Sequence, residues 1–178
     1  MKNSGRFHTL LLLLTISVSS ISAQDAGVAI YGTVRDMVSR DSIPFPTVSY
    51  QELGTDLPPT PVVTTARGRY SVLLTEQKAY LIRFGAPGKV GKCVELDLRG
   101  PSEELWEAGY GMNIDPTVMD SLPDVYYSVL LEPFGKAFYN ADNENYEWDV
   151  EYTSSMRERQ AALMKAYRER SGIQRKEE

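Results

Sequence analysis

One histidine and one cysteine bound the chemistry open to this 178-residue chain. His8 lies in MKNSGRFHTLLLLLTISVSSISAQD, which reads as an export signal. Lys2 and Arg6 give a basic start, residues 10–18 an apolar run, and Ile21-Ser22-Ala23 a small-residue cleavage site before Gln24. Cleavage there leaves no histidine, which removes Ser-His-Asp and Cys-His nucleophilic chemistry, histidine general bases and histidine metal ligands. Cys93 stands alone, so an intrachain disulfide is impossible and an exported fold must rest on its apolar core. It can act as an intermolecular bridge or reactive thiol, or sit inert and partly buried. Only Lys89 and Lys92 are near in sequence to lower its pKa.

Carboxylates are the next candidates for chemistry. Glu103, Glu104 and Glu107 lie close together, as do Asp142, Glu144, Glu147 and Asp149. A glycosidase needs two carboxylates across a cleft, one of them shielded enough to hold its proton. Clusters on polar segments are more often solvated surface, and no catalytic residue is assigned. Residues 140–145 (NADNEN) offer oxygen ligands in a short span, with Asp142 and Glu144 as candidate calcium ligands. The stretch lacks the EF-hand spacing and its central glycine, and a plain hairpin turn also accounts for it. No glycine-rich phosphate loop precedes a helix, and no cofactor is expected. Aromatic residues crowd the second half. Tyr126, Tyr139 and Trp148 are the candidate binding residues, for a glycan, a peptide or an envelope protein, with a core for the second half as the alternative.

Composition narrows the partners. The chain is 42% hydrophobic and 24% charged, with a net charge of −5. Loss of residues 1–23 moves the charge to about −7, and the body carries no long basic stripe, which argues against nucleic acid. The N-terminal apolar run is shorter than the roughly 20 residues of a membrane span, which disfavours an uncleaved anchor, and no later stretch is apolar enough to cross. No cysteine stands at the expected new N-terminus, so no lipid anchor is indicated. The expected location is the periplasm, the outer membrane or outside the cell.

The elements that must position these residues are mostly strands. Residues 28–36 alternate in period two, with Val28, Ile30 and Val34 on one face. Gly32 in that run predicts a bulge or a close backbone approach. Ile43-Pro44-Phe45-Pro46 predicts an extended lead into a strand over 47–52. Further strands are predicted over 62–65, 69–74, 79–84 and 93–98, with a tight turn at Ala66-Arg67-Gly68. The polar stretch 99–109 reads as a module boundary. Beyond it, residues 110–114 alternate, 125–131 (VYYSVLL) is the most β-prone stretch, and 136–139 can pair with 146–150 across the 140–145 loop. Ser155 with Glu158 predicts a capping box. Met156, Gln160, Leu163, Met164 and Tyr167 follow as a narrow helical stripe, and Gly172 is the predicted stop before a frayed end. From Arg157 onward seven basic and four acidic residues predict a cationic helix that docks on the acidic body, with reach to a separate acidic surface as the alternative.

The sequence resembles the carboxypeptidase regulatory-like domain. The residues that carry the resemblance are Gly32-Thr33-Val34-Arg35-Asp36, Ile43 to Val48, Thr64 to Val72 and Tyr80 to Phe84. Arg67 stands where that family has an acidic residue, and the family's aromatic-glycine strand ending survives only as Phe84-Gly85. The resemblance implies a transthyretin-like (Ig-like) β-sandwich over residues 24–99. A signal over 1–23, a β-rich extension over 100–152 and a helix with tail over 153–178 complete the layout, which is also similar to that of small exported proteins of Bacteroidetes-type bacteria. It further implies an accessory, non-catalytic role: a binding or assembly module of the cell envelope. A carbohydrate- or peptide-binding accessory is the first alternative, and a small carboxylate hydrolase the second.

Overall fold

The computed structural model describes residues 26–171. The predicted export signal, the Gly172 stop and the C-terminal end lie outside the described residues. In chain order the elements are β1 (Val28–Thr33), β2 (Arg35–Asp36), β3 (Thr47–Glu52), β4 (Thr60–Val62), β5 (Arg69–Leu74), β6 (Ala79–Gly85), β7 (Lys89–Val90) and β8 (Lys92–Asp97). Then come α1 (Glu103–Ala108), β9 (Tyr110–Asn113), β10 (Thr117–Asp120), a 3-10 turn (Ser128–Leu131), β11 (Pro133–Asn140), β12 (Asn145–Trp148) and α2 (Val150–Ser171).

The architecture is a mainly β sandwich closed by a helix. One face is a six-stranded sheet in the order β12-β11-β8-β6-β3-β4, and the other a three-stranded sheet β5-β1-β9. A small third sheet, β2-β10-β7, closes one end. The period-two pattern explains the core: Val28, Ile30, Val34, Ile82, Val94, Leu96 and Leu98 are all fully buried between the sheets. Each such aliphatic side chain stabilises the fold by about 1.5–3 kcal/mol relative to exposure. The segment beyond residue 100 contributes strands to the same sheets, since β9 pairs in parallel with β1 and β11 in parallel with β8.

Two glycines act through geometry. Gly68 turns with φ +72° at the predicted tight turn. Gly32 permits a close backbone approach, because a Cβ there would fall 2.0 Å from the Ile114 carbonyl oxygen. That approach brings Asp115 to β1, where its Oδ1 accepts from the Thr33 N–H at 2.7 Å.

Several expectations need correction. The strand expected at 62–65 is β4, shifted to Thr60–Val62; Thr64 makes only an isolated bridge to Tyr70. The lead into β3 is not extended throughout. Phe45 sits at φ +49° and its N–H donates to the Thr65 carbonyl, which bends the chain. The VYYSVLL stretch forms no strand. Its alternation is real, with Val125, Tyr127 and Val129 turned inward, but the ladder beside β8 is taken by β11. Packing thus overrides β propensity: the segment ends in the 3-10 turn and fills a second cluster with Met119, Leu163 and Tyr167. The 99–109 stretch holds α1, capped by the Ser102 hydroxyl and anchored by buried Trp106.

Helix α2 starts earlier than the Ser155 box implied. Asp149 is the cap: its Oδ1 accepts from the Tyr152 N–H at 2.7 Å, and its carbonyl takes the first helical bond, from Thr153. A short carboxylate immediately after a strand is a stronger stop-and-start signal than a serine five residues inside a helix. The predicted stripe holds. Met156, Leu163 and Tyr167 are buried, and α2 docks on the body, packing on β11 and the 3-10 turn.

Candidate functional site

The three candidate aromatics do not share one patch. Tyr126 is 83% exposed and stands beside the 3-10 turn. Tyr139 is half-buried and packs edge-on against Tyr146, with ring centroids 5.6 Å apart, in a cluster completed by Tyr110. Trp148 ends β12, opposite Ala137, with its ring against Gly135: a Cβ on that glycine would lie 3.1 Å from the indole. The indole remains 39% exposed.

Two open cavities flank the start of β8. The first, about 510 Å³, is mostly apolar and lies between Phe84, Cys93, Tyr126 and Leu131, with Lys92 bordering it as well as the second. Cys93 is buried there, with its thiol against the Leu131 carbonyl, and burial pushes the thiol pKa up. The second, about 500 Å³, is a cleft under the N-terminal half of α2. Trp148 and Phe134 supply its apolar wall; Lys92, Asp115, Arg157 and Gln160 supply its polar groups.

Lys92 is the unusual residue. It sits opposite Phe84 in the β6–β8 ladder and shares the face of Val94 and Leu96, at the end of the core-facing row. Lys78, Lys89 and Lys136 each pair with a carboxylate. Lys92 is the half-buried lysine with no ion-pair or hydrogen-bond partner among the described residues. Burial, and then the charge of Arg40, hold its pKa below the ordinary lysine value. Gln160 adds a second unmet group, since its Nε2 is buried without a hydrogen-bond partner. Its place in the helical stripe, noted from sequence as one polar interruption, is what aims it inward.

The acidic clusters hold together differently. Glu103, Glu104 and Glu107 are exposed on α1. In the β11–β12 loop the amides of Asn140 and Asn143 donate to Glu147, and these bonds lower the Glu147 pKa. Asp142 and Glu144 are exposed. Among the described residues no group of three or more His, Cys, Asp or Glu side chains is placed to hold a metal ion. No described helix is long and apolar enough to cross a membrane.

No family model matches the sequence. No curated protein matches it significantly. Solved structures overlap it in part. A candidate carbohydrate-binding protein of Bacteroides uniformis is 18% identical, with a TM-score of 0.39 over 53% of this chain and 42% of its own. A DUF3823 family protein of Parabacteroides merdae is 15% identical, with a TM-score of 0.38 over 55% and 48%. Catechol 1,2-dioxygenase of Acinetobacter is 10% identical, with a TM-score of 0.38 over 58% and 56%. The chain thus spans about half the length of these proteins. At these scores the likeness assigns it neither ligand nor activity.

Proposed function

We propose that this chain is an exported, non-catalytic binding module of the carboxypeptidase regulatory-like type, and that it takes its ligand in the cleft under α2. The observation that carries the reading is Lys92, a half-buried cation without a partner on the core face of β8. Leaving a cation there costs stability, and such a cost persists where a ligand meets it. Gln160 borders the same cleft with its Nε2 buried and unpartnered, and Trp148 adds a partly exposed apolar face. A cavity of this size with an aromatic wall and a few convergent polar groups suits a small ligand or a segment of a larger one.

The test is to probe glycan and peptide arrays with the purified chain and with its Trp148→Ala and Tyr126→Ala variants. Binding lost on Trp148→Ala and kept on Tyr126→Ala supports the cleft. An absence of binders, or binders indifferent to Trp148→Ala, overturns it.

A second reading, assembly with an envelope protein, is favoured by the apolar groove beside β8, where Tyr126 and Leu131 are 83% and 82% exposed. Capture of one envelope protein at fixed stoichiometry, abolished by Tyr126→Ser with Leu131→Ser, would support it over the cleft.

A further inference from the structure

Resting on the reading of the cleft as the binding site, we infer that its ligand is an acidic saccharide, a sugar chain bearing carboxylates. Two cations face the cleft, Lys92 and Arg157, against one carboxylate, Asp115. Neither cation has an ion-pair partner among the described residues, whereas the neighbouring Arg159 is engaged by Glu132 and Lys136 by Glu95. The cleft is therefore net positive on an otherwise acidic protein, and a carboxylate is the group that an ammonium and a guanidinium together complete.

The sugar is argued from the remaining groups. Trp148 packs its ring edge against Gly135 at the cleft and stays 39% exposed, and an exposed indole is a surface on which the apolar C–H face of a pyranose stacks. Gln160, at the cleft wall, has a buried Nε2 with no partner, and a side-chain rotation into the cleft would give it a ring or hydroxyl oxygen to donate to. Asp115 has its Oδ1 occupied by the Thr33 N–H, which fixes the carboxylate where its other oxygen can accept from a sugar hydroxyl. A glutamate peptide would satisfy the cations but offers no flat C–H ring face to stack on the Trp148 indole.

Isothermal titration of the purified chain with three probes tests this: tri-galacturonate, its neutral methyl ester and a tri-glutamate peptide. The expected result is tri-galacturonate bound at least tenfold tighter than either other probe. That preference falls by tenfold or more in Lys92→Met and several-fold in Arg157→Gln, while both variants melt at or above the parent temperature. Equal binding of the acid and its ester, unaffected by Lys92→Met, overturns the acidic class and leaves the saccharide cleft standing. Tighter binding of the peptide overturns the saccharide class. No binding of any probe overturns this inference alone, while binding insensitive to Trp148→Ala overturns both this inference and the reading of the cleft.

Discussion

Lys89 and Lys92 lie three residues apart on successive strands separated by Gly91 alone, and they occupy opposite electrostatic situations. Lys89, on β7, is clamped between Asp36 of β2 and Asp120 of β10. Those carboxylates, Asp120 first, raise its pKa, and the three charges tie together the small end sheet. Lys92, on β8, points into the sandwich and meets no carboxylate, so burial lowers its pKa. The first arrangement explains itself as structure: charge, counter-charge and three chain segments held in register. The second is a cost to the fold with no return in the protein alone. The difference separates a group that holds the molecule together from one that the proposed ligand would complete.

Helix α2 is common to both regions, since Tyr167 meets the Asp120 N–H at one end and Gln160 lines the cleft at the other. The largest expected effect is therefore Met156→Ala, which opens a cavity under that helix. It should cost about 2–4 kcal/mol, read as a fall in urea midpoint, and should weaken both regions together. Lys89→Met comes next. It strands two carboxylates, but Asp120 is half-exposed, so the loss should be about 1–2 kcal/mol at pH 7, between the costs of a buried and a surface pair. The effect should also depend on acid. Burial acts to raise the Asp36 pKa, yet the bonds from Lys89 and from the Ser39 and Val38 amides outweigh it and set the pKa below the ordinary value. The stability it contributes is present above about pH 4 and is lost as pH falls through the lower folded value. The gap between parent and Lys89→Met should close over that range in acid denaturation curves.

Lys92→Met should have the opposite sign. With its folded pKa below the unfolded value near 10.4, the charged form is disfavoured by folding throughout the neutral range. Its replacement should raise stability by about 0.5–1 kcal/mol at pH 7. That gain should shrink as pH rises from the lowered folded pKa towards 10.4, where the lysine sheds its charge on folding. A loss of stability on Lys92→Met would end the contrast between the two lysines. The smallest effect belongs to Tyr126→Ala, whose ring is almost wholly solvated; the melting midpoint should move by less than the equivalent of about 0.5 kcal/mol.

Much of this was legible in the sequence. Period-two alternation marked β1, β3, β5, β6 and β8 and the residues they bury, and Gly32 marked a close approach that places Asp115. The helical stripe on α2 was legible down to its one polar member, Gln160. The site was less so. Trp148 was legible as a candidate; Lys92 was not, because a lysine at the start of a strand normally snorkels to water and only the third dimension shows that it heads a core-facing row. The same limit hid Asp149 as the helix cap and misassigned VYYSVLL. A propensity is local, whereas the available edge beside β8 is decided by β11, forty residues downstream of β8's start.

The most direct test of the account is a proton–nitrogen NMR titration of the chain with tri-galacturonate, following the backbone amides and three side-chain signals. The Trp148 indole N–H and the Gln160 amide should shift with a common affinity, while the Trp106 indole, buried in the sandwich core, should stay in place. Shifts confined to the Tyr126–Leu131 groove, or to none of the cleft residues, would contradict it.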